Sequence, residues 1–477
     1  MKSDPNNIFN GKKSDAEKQK HLLWMIIIAA VILVIAVVAT VMVVRQSIRT
    51  SEILSSAATK TEEKTETETV NKETSDSAIT DFNVHAGVTG DSSGERWHAN
   101  AEQDKEVTPT PTEAPTETPT PEPTLSPEQQ LAQQVEQKLG TMTTEEKVAQ
   151  LFFITPDALN NTETTEAGDV TRSNFSQIPV GGFVLFENNI ISPEQTAALN
   201  QNLKNISMER IGVEPFIGTD EEGGTVLRIA DVASFGVADV GDMSGIGATG
   251  DPGQASQVGS TIGAYLSQYG FNLDFAPVAD TLSNPENTVV SQRSFGTDAN
   301  LVSQMVAAEV QSLEAQNVSA VLKHFPGHGS TSADSHNGAA VSYRTLDELR
   351  TIDLLPFQAG IAAGADFVMA GHISLPNATS DGLPATLSAE LLTGVLRQEM
   401  GFQGIIITDA MNMGAITAYY SSPQAAIMAI QAGVDMILMP SDFRSAYSGV
   451  VAAVNNGTIS QERLNESVRR ILSAKMS

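Results

Sequence analysis

The chain has 477 residues, 57 acidic against 28 basic side chains for a formal net charge of −29, and no cysteine. The missing thiol excludes a disulfide scaffold, a thiolate zinc site, an iron–sulfur cluster and a cysteine nucleophile. The acidic balance speaks against a nucleic-acid partner, which is met by clustered Lys and Arg.

Charge and hydropathy divide the chain into three parts. Residues 1–50 carry seven basic and three acidic side chains. Lys12, Lys13, Lys18 and Lys20 precede 23 uncharged residues running from Leu22 to Val44, with Trp24 near the edge. At about 1.5 Å per residue such a helix crosses a hydrocarbon core of roughly 30 Å. It is also longer than the roughly 7–15-residue apolar region of a cleaved signal peptide. We therefore expect a basic cytoplasmic tip over 1–21, a transmembrane helix over 22–44, and the remainder outside the cytoplasmic membrane. Residues 51–127 hold 16 acidic and five basic side chains, and Thr and Pro nearly alternate between Val107 and Pro127. This composition buries too little apolar surface to offset chain entropy, and proline with like charges extends it. The expectation is a disordered acidic stalk over 45–127.

From there to the C-terminus, short apolar runs alternate with amphipathic stretches. Eight runs stand out: Leu151–Ile154, Gly182–Phe186, Pro215–Gly218, Leu273–Ala276, Ala320–Leu322, Phe367–Ala370, Gly404–Ile407 and Met436–Met439. Runs apolar on both faces are the pattern of buried parallel strands. Helical stretches lie between most of them, such as Asn300–Gln316, Asp347–Ala363 and Ser388–Met400. Eight such units predict a single α/β domain over 128–477, a (β/α)₈ barrel of the TIM type. The rival is a doubly wound open sheet, but neither GxGxxG nor GxxxxGK[ST] supports a nucleotide site in one.

Chemistry-bearing residues gather where these runs end. Asp220, Asp280, Lys323-His324, Gly371-His372 and Asp409 follow runs three to seven. Barrel enzymes work at the C-terminal ends of their strands, so the set predicts an active site there. The loop KHFPGHGSTSADSHNG, from Lys323 to Gly338, holds three of the seven histidines: His324, His328 and His336. Pro326-Gly327 breaks the helix that HxxxH needs to align two metal ligands, so neither metal nor cofactor is expected. Asp334 stands two residues from His336. An Asp so placed can accept the ring N–H and stabilise imidazolium, making a general acid/base near neutrality. Asp409, on another strand end, could supply a nucleophile. A serine hydrolase is disfavoured because no GxSxG elbow is present.

From Thr141 to Pro440 the chain resembles the β-N-acetylhexosaminidases of glycoside hydrolase family 3. The most specific match is KHFPGHG followed by DSH. Others are GGFVLFENN at 181–189, DEEGG at 220–224, FNLDFAPVAD at 271–280, QRSFG at 292–296 and ITDAMNMGAI at 407–416. The resemblance implies that Asp409 is the nucleophile, His336 the acid/base and Asp334 its partner. It implies that Asp220, Arg228, Arg293, Lys323 and His324 grip a terminal N-acetylglucosamine. Where the family often has DQEGGRV, this chain has Glu221 and Thr225. The implied activity is retaining, exo-acting hydrolysis of terminal N-acetyl-β-glucosaminides, with muropeptides and other N-acetylglucosamine-containing glycans as substrates. The alternatives are a family-3 β-glucosidase or glycoside phosphorylase, and a non-catalytic wall-binding relative.

Overall fold

The computed structural model describes residues 125–331 and 340–477. The expected span at 22–44 and the stalk as far as residue 124 lie outside the described residues. Among the described residues no helix is long and apolar enough to cross a membrane. The folded part opens on helix α1 (Pro127–Thr141), with Pro127 in its first turn and Ser126 closing a capping box with Gln129. It thus starts slightly before the expected boundary at 128. The cap explains this: Ser126 satisfies an amide that would otherwise be orphaned at the helix start.

All eight apolar runs contribute strands to one parallel sheet. In order around it these are β10 (Ile437–Leu438), β1 (Phe152–Ile154), β2 (Gly182–Val184), β3 (Phe216–Thr219), β4 (Leu273–Asp274), β5 (Ser319–Phe325), β7 (Phe367–Ala370) and β9 (Ile405–Thr408). A parallel bridge between Ile407 and Met436 joins the two ends. The backbone bonds Thr408 N to Met436 O (3.0 Å) and Met436 N to Ile406 O (3.1 Å) carry that closure. Helices intervene as expected for the TIM-type barrel, among them α2 (Pro193–Ile211), α3 (Pro252–Gln268), α4 (Ala299–Glu314) and α5 (Ser422–Ala432). A small second sheet pairs β6 (Ala340–Val341) with β8 (Ile373–Ser374) at the C-terminal end of the barrel. β5 runs past the expected end of its run and takes in Lys323 and His324, its register with β7 slipping between Leu322 and Phe325.

The barrel interior is packed rather than open. Phe153 meets Phe275 edge-on at 5.5 Å, and Phe216 meets Phe367 at 5.0 Å, both pairs reaching across the sheet. All four rings are almost fully buried, and truncating such a ring costs about 3–5 kcal/mol.

One residue breaks the apolar stripe of α4. Val302, Met305, Val306, Val310 and Leu313 face the core at helical spacing, and Glu309 stands in the same stripe at 1 % exposure. Its Oε2 has no hydrogen-bond partner, and burial pushes the carboxyl up to about 8. The unfolded chain ionises at the ordinary value, so stability is lost as pH rises from about 4.5 toward about 8. The melting temperature is expected to fall across this window, and Glu309→Gln to flatten the fall. Parallel melting curves for the two proteins would refute this assignment.

Candidate active site

A cavity of about 320 Å³ opens at the C-terminal ends of the strands. Its lining includes Asp220, Arg228, Arg293, Lys323 and His324, together with Asp409. These residues stand far apart in the chain and come from β5 and the loops beyond β3, β4 and β9, so only barrel closure brings them together. A larger cleft of about 510 Å³ at the opposite end, lined by Asp366, Gly404 and Arg470, holds none of them. Asp334 and His336 lie outside the described residues.

The cavity floor is an ion-pair cluster. Lys323 Nζ, 2 % exposed, donates to Asp220 Oδ1 at 2.8 Å and Glu222 Oε1 at 2.6 Å. Arg293 grips Glu222 through Nε and Nη2, both at 2.7 Å. A bidentate guanidinium–carboxylate pair fixes both partners in orientation. Burial opposes the charge on Glu222, but Arg293 and Lys323 outweigh it and hold the carboxyl far below its ordinary range. Burial likewise opposes the charge on Lys323, and Asp220 and Glu222 raise its pKa in spite of it. The result is fixed donors and acceptors suited to sugar hydroxyls, with little charge to spare.

Glu222 was not among the candidates read from the sequence, although it stands inside DEEGG. The signal was its position: two residues past Asp220 on an irregular segment, it can face the same cavity. Gly223 and Gly224, at φ +96 and +56, make that segment turn back. A Cβ on Gly224 would stand 2.1 Å from Asp242 Oδ1, so the close approach requires glycine. Glu221, the departure from the family pattern, faces the other way. It accepts the amides of Arg228 (2.6 Å), Ile229 (2.8 Å) and Ala230 (2.9 Å) and the Tyr265 hydroxyl (2.9 Å). Both its oxygens accept, a task a Gln side chain can perform with one atom only. Glu221 thereby sets the backbone that presents Arg228, whose guanidinium lies 5.6 Å from the Phe186 ring.

Two further histidines have resolved roles. His324 Nδ1 lies 2.8 Å from Asp280 Oδ2, while Asp280 Oδ1 accepts the amides of His324 and His328. A carboxylate can only accept, so Nδ1 carries the proton. Asp280 is thus a supporting residue beneath the cavity. His372 is wedged between Thr386 Oγ1 (2.7 Å) and the Ala410 carbonyl (3.0 Å). It braces the turn beyond β9 on which Asp409 sits. Asp409 Oδ1 accepts the Ala410 amide at 2.7 Å and its own amide donates to Ala370 O at 2.9 Å, tying it to β7.

The model of the glycosyl hydrolase family 3 N-terminal domain matches residues 143–474. The chain belongs to this family. Within it, the chain is 36% identical over 327 residues to beta-hexosaminidase A of Pseudoalteromonas piscicida, covering 63% of this chain and 54% of that one. It is 31% identical over 349 residues to a Cellulomonas fimi protein named beta-N-acetylglucosaminidase/beta-glucosidase, covering 71% and 58%. The chain thus spans little more than half the length of these two relatives. Among solved structures, a family-3 beta-N-acetylglucosaminidase from a Paenibacillus species superposes with a TM-score of 0.66 at 36% identity, covering 70% of this chain and 62% of that one. A beta-N-acetylhexosaminidase from Beutenbergia cavernae gives 0.63 at 30% identity, covering 70% and 98%. The family-3 barrel of this chain therefore has relatives of nearly its own extent as well as longer ones.

Proposed function

We propose that this family-3 chain is a retaining exo-β-N-acetylglucosaminidase acting on terminal N-acetyl-β-glucosaminides. The observation that carries the reading is the single cavity joining Asp409 to Asp220, Arg228, Arg293, Lys323 and His324. The names of the relatives, beta-hexosaminidase and beta-N-acetylglucosaminidase, support the choice of sugar. Asp220 accepts hydroxyl protons, and Lys323 and the arginines donate in return. Asp409 attacks the anomeric carbon and the glycosidic bond breaks, while protonated His336 gives its proton to the departing oxygen. Neutral His336 then takes a proton from water, whose oxygen displaces Asp409 and releases the sugar with retained configuration. Asp334 holds the imidazole and balances its charge. An imidazole keeps a second negative charge away from the acidic nucleophile.

The substrates we propose are peptidoglycan fragments met outside the cytoplasmic membrane. The apolar stretch at 22–44 and the acidic stalk supply the reasoning. The test is turnover of 4-nitrophenyl N-acetyl-β-glucosaminide against the corresponding glucoside, in water and in phosphate buffer. The acetamido sugar is expected to be cleaved faster, with free N-acetylglucosamine as product; preference for the glucoside or formation of a sugar phosphate would favour the alternatives. His336→Ala should slow an unactivated disaccharide by about 10²–10⁴-fold, the usual worth of a general acid. Read on kcat/KM, which reports the bond-breaking step and not the later hydrolysis that also uses His336, the nitrophenyl substrate should be slowed much less, because that leaving group departs without a proton. Equal losses of kcat/KM on both substrates would remove His336 from the acid role.

A further inference from the structure

The two cavity arginines are held by different means. Arg293 is gripped by the Glu222 carboxylate through two hydrogen bonds of 2.7 Å. Arg228 has no such clamp. Its Nη1 donates to the neighbouring Leu227 carbonyl at 2.9 Å, and its Nε is buried with no hydrogen-bond partner among the described residues. Glu187 Oε1 stands 3.8 Å from Nε, but the Glu187 side chain is 66 % exposed, and a solvated pair of that length contributes little. The guanidinium instead lies over the Phe186 ring, 5.6 Å from its centroid. Phe186 and Arg228 both line the cavity. The ring itself is fixed from behind. Asn189, fully buried, accepts the Phe186 amide through Oδ1 at 3.1 Å, while its own amide donates to the Phe186 carbonyl at 2.8 Å. Asn189 Nδ2 crosses to the segment beyond β1, donating to Asp157 Oδ2 (2.7 Å) and the Thr164 carbonyl (3.0 Å). Two segments therefore lock the turn that carries Phe186.

We propose that Phe186 is a positioning residue whose ring holds Arg228 at the cavity wall for the terminal sugar. The proposal rests on the hexosaminidase reading above. Glu221 fixes the backbone of Arg228 through its amide, and Phe186 fixes the charged end. A ring face attracts a cation without consuming its N–H donors, which lie in the guanidinium plane. A carboxylate clamp takes up two of them, as Glu222 does on Arg293. Arg228 so held keeps donors for the sugar, and the Asn189 turn supplies the rigidity that the contact itself lacks. Leucine at 186 would keep apolar bulk but remove the negative ring face, whereas tyrosine would keep that face.

The test is a double-mutant cycle on the full chain, read by steady-state kinetics with 4-nitrophenyl N-acetyl-β-glucosaminide and by calorimetric binding of N-acetylglucosamine. Phe186→Leu is expected to raise KM and to weaken sugar binding by about threefold to thirtyfold, the range of a half-buried cation–π contact, with kcat held within about twofold. Phe186→Tyr should stay near the wild type in both. In an Arg228→Met background, Phe186→Leu should change neither by more than about twofold, because the residue it acts through is gone. Additive losses in the cycle would mean that the ring touches the sugar directly or only supports the fold, and they overturn the proposal. An unchanged KM, a fall confined to kcat, or a tyrosine variant as poor as the leucine one overturns it equally. If melting curves show Phe186→Leu unfolded, Phe186→Met takes its place under the same criteria. A wild-type chain that neither cleaves the glycoside nor binds N-acetylglucosamine overturns the hexosaminidase reading instead, and this inference falls with it.

Discussion

Asp409→Asn is expected to lower kcat on N-acetyl-β-glucosaminides by about 10⁴-fold or more while leaving the fold in place. The substitution is nearly isosteric. An Asn oxygen can still accept the Ala410 amide, and the backbone bond to Ala370 O is unaffected. On the mechanism proposed above, what is lost is the charge and the nucleophilic oxygen, so the glycosyl-enzyme cannot form. A 10⁴-fold loss corresponds to about 5.5 kcal/mol of barrel-held transition-state stabilisation. Two measurements bear on it. Melting should stay within a few degrees of the wild type, and N-acetylglucosamine should still bind, because Asp220, Lys323 and Arg293 are untouched. Full activity of the variant would remove Asp409 from the nucleophile role. Unchanged sugar binding beside a wild type that never turns over would instead favour the non-catalytic alternative.

The framework of this domain was legible because parallel strands buried on both faces leave uninterrupted apolar runs. Each of the eight runs became a strand, and Asp220 and Asp409 immediately follow theirs. Lys323 and His324 were placed beyond a strand but lie within it, because β5 continues through polar residues once Lys323 pairs with Asp220 and Glu222 and His324 hydrogen-bonds Asp280. That compensation is tertiary and leaves no local periodicity. Glu222 and Asn287 were hidden for the same reason. In sequence they are ordinary polar loop residues, and their partners, Arg293 and the His328 carbonyl, lie 71 and 41 positions away. Asp280 was legible as a strand-end residue, but not its place beneath His324, 44 positions on. Glu309 shows the reverse. Its place in the apolar stripe of α4 was readable, but nothing local says that its carboxyl is buried beside other acids rather than turned to solvent.

Glu222→Gln is expected to destabilise the domain by about 3 kcal/mol at neutral pH, the largest stability effect proposed for a single polar group here. Removing one member of a buried ion pair leaves its partners desolvated and uncompensated, at a cost of about 3–5 kcal/mol. The lower end applies because Lys323 keeps Asp220 at 2.8 Å and a Gln oxygen can still accept one of the two Arg293 bonds. The pH dependence identifies the cause. The Glu222 pKa is depressed in the folded state, so its contribution is present above the ordinary value of about 4.5 and fades as pH falls below it. The gap between wild type and variant should therefore be widest near neutrality and close in acid. Glu309 acts with the opposite sign, losing stability toward about pH 8. The contributions of the two together peak near pH 4.5, and Glu222→Gln should remove the acid-side fall. Catalysis should respond through KM more than through kcat, because Arg293 and Lys323 lose the carboxylate that aims them while Asp409 stays in place. A pH-independent gap in melting temperature would mean that Glu222 contributes by packing alone.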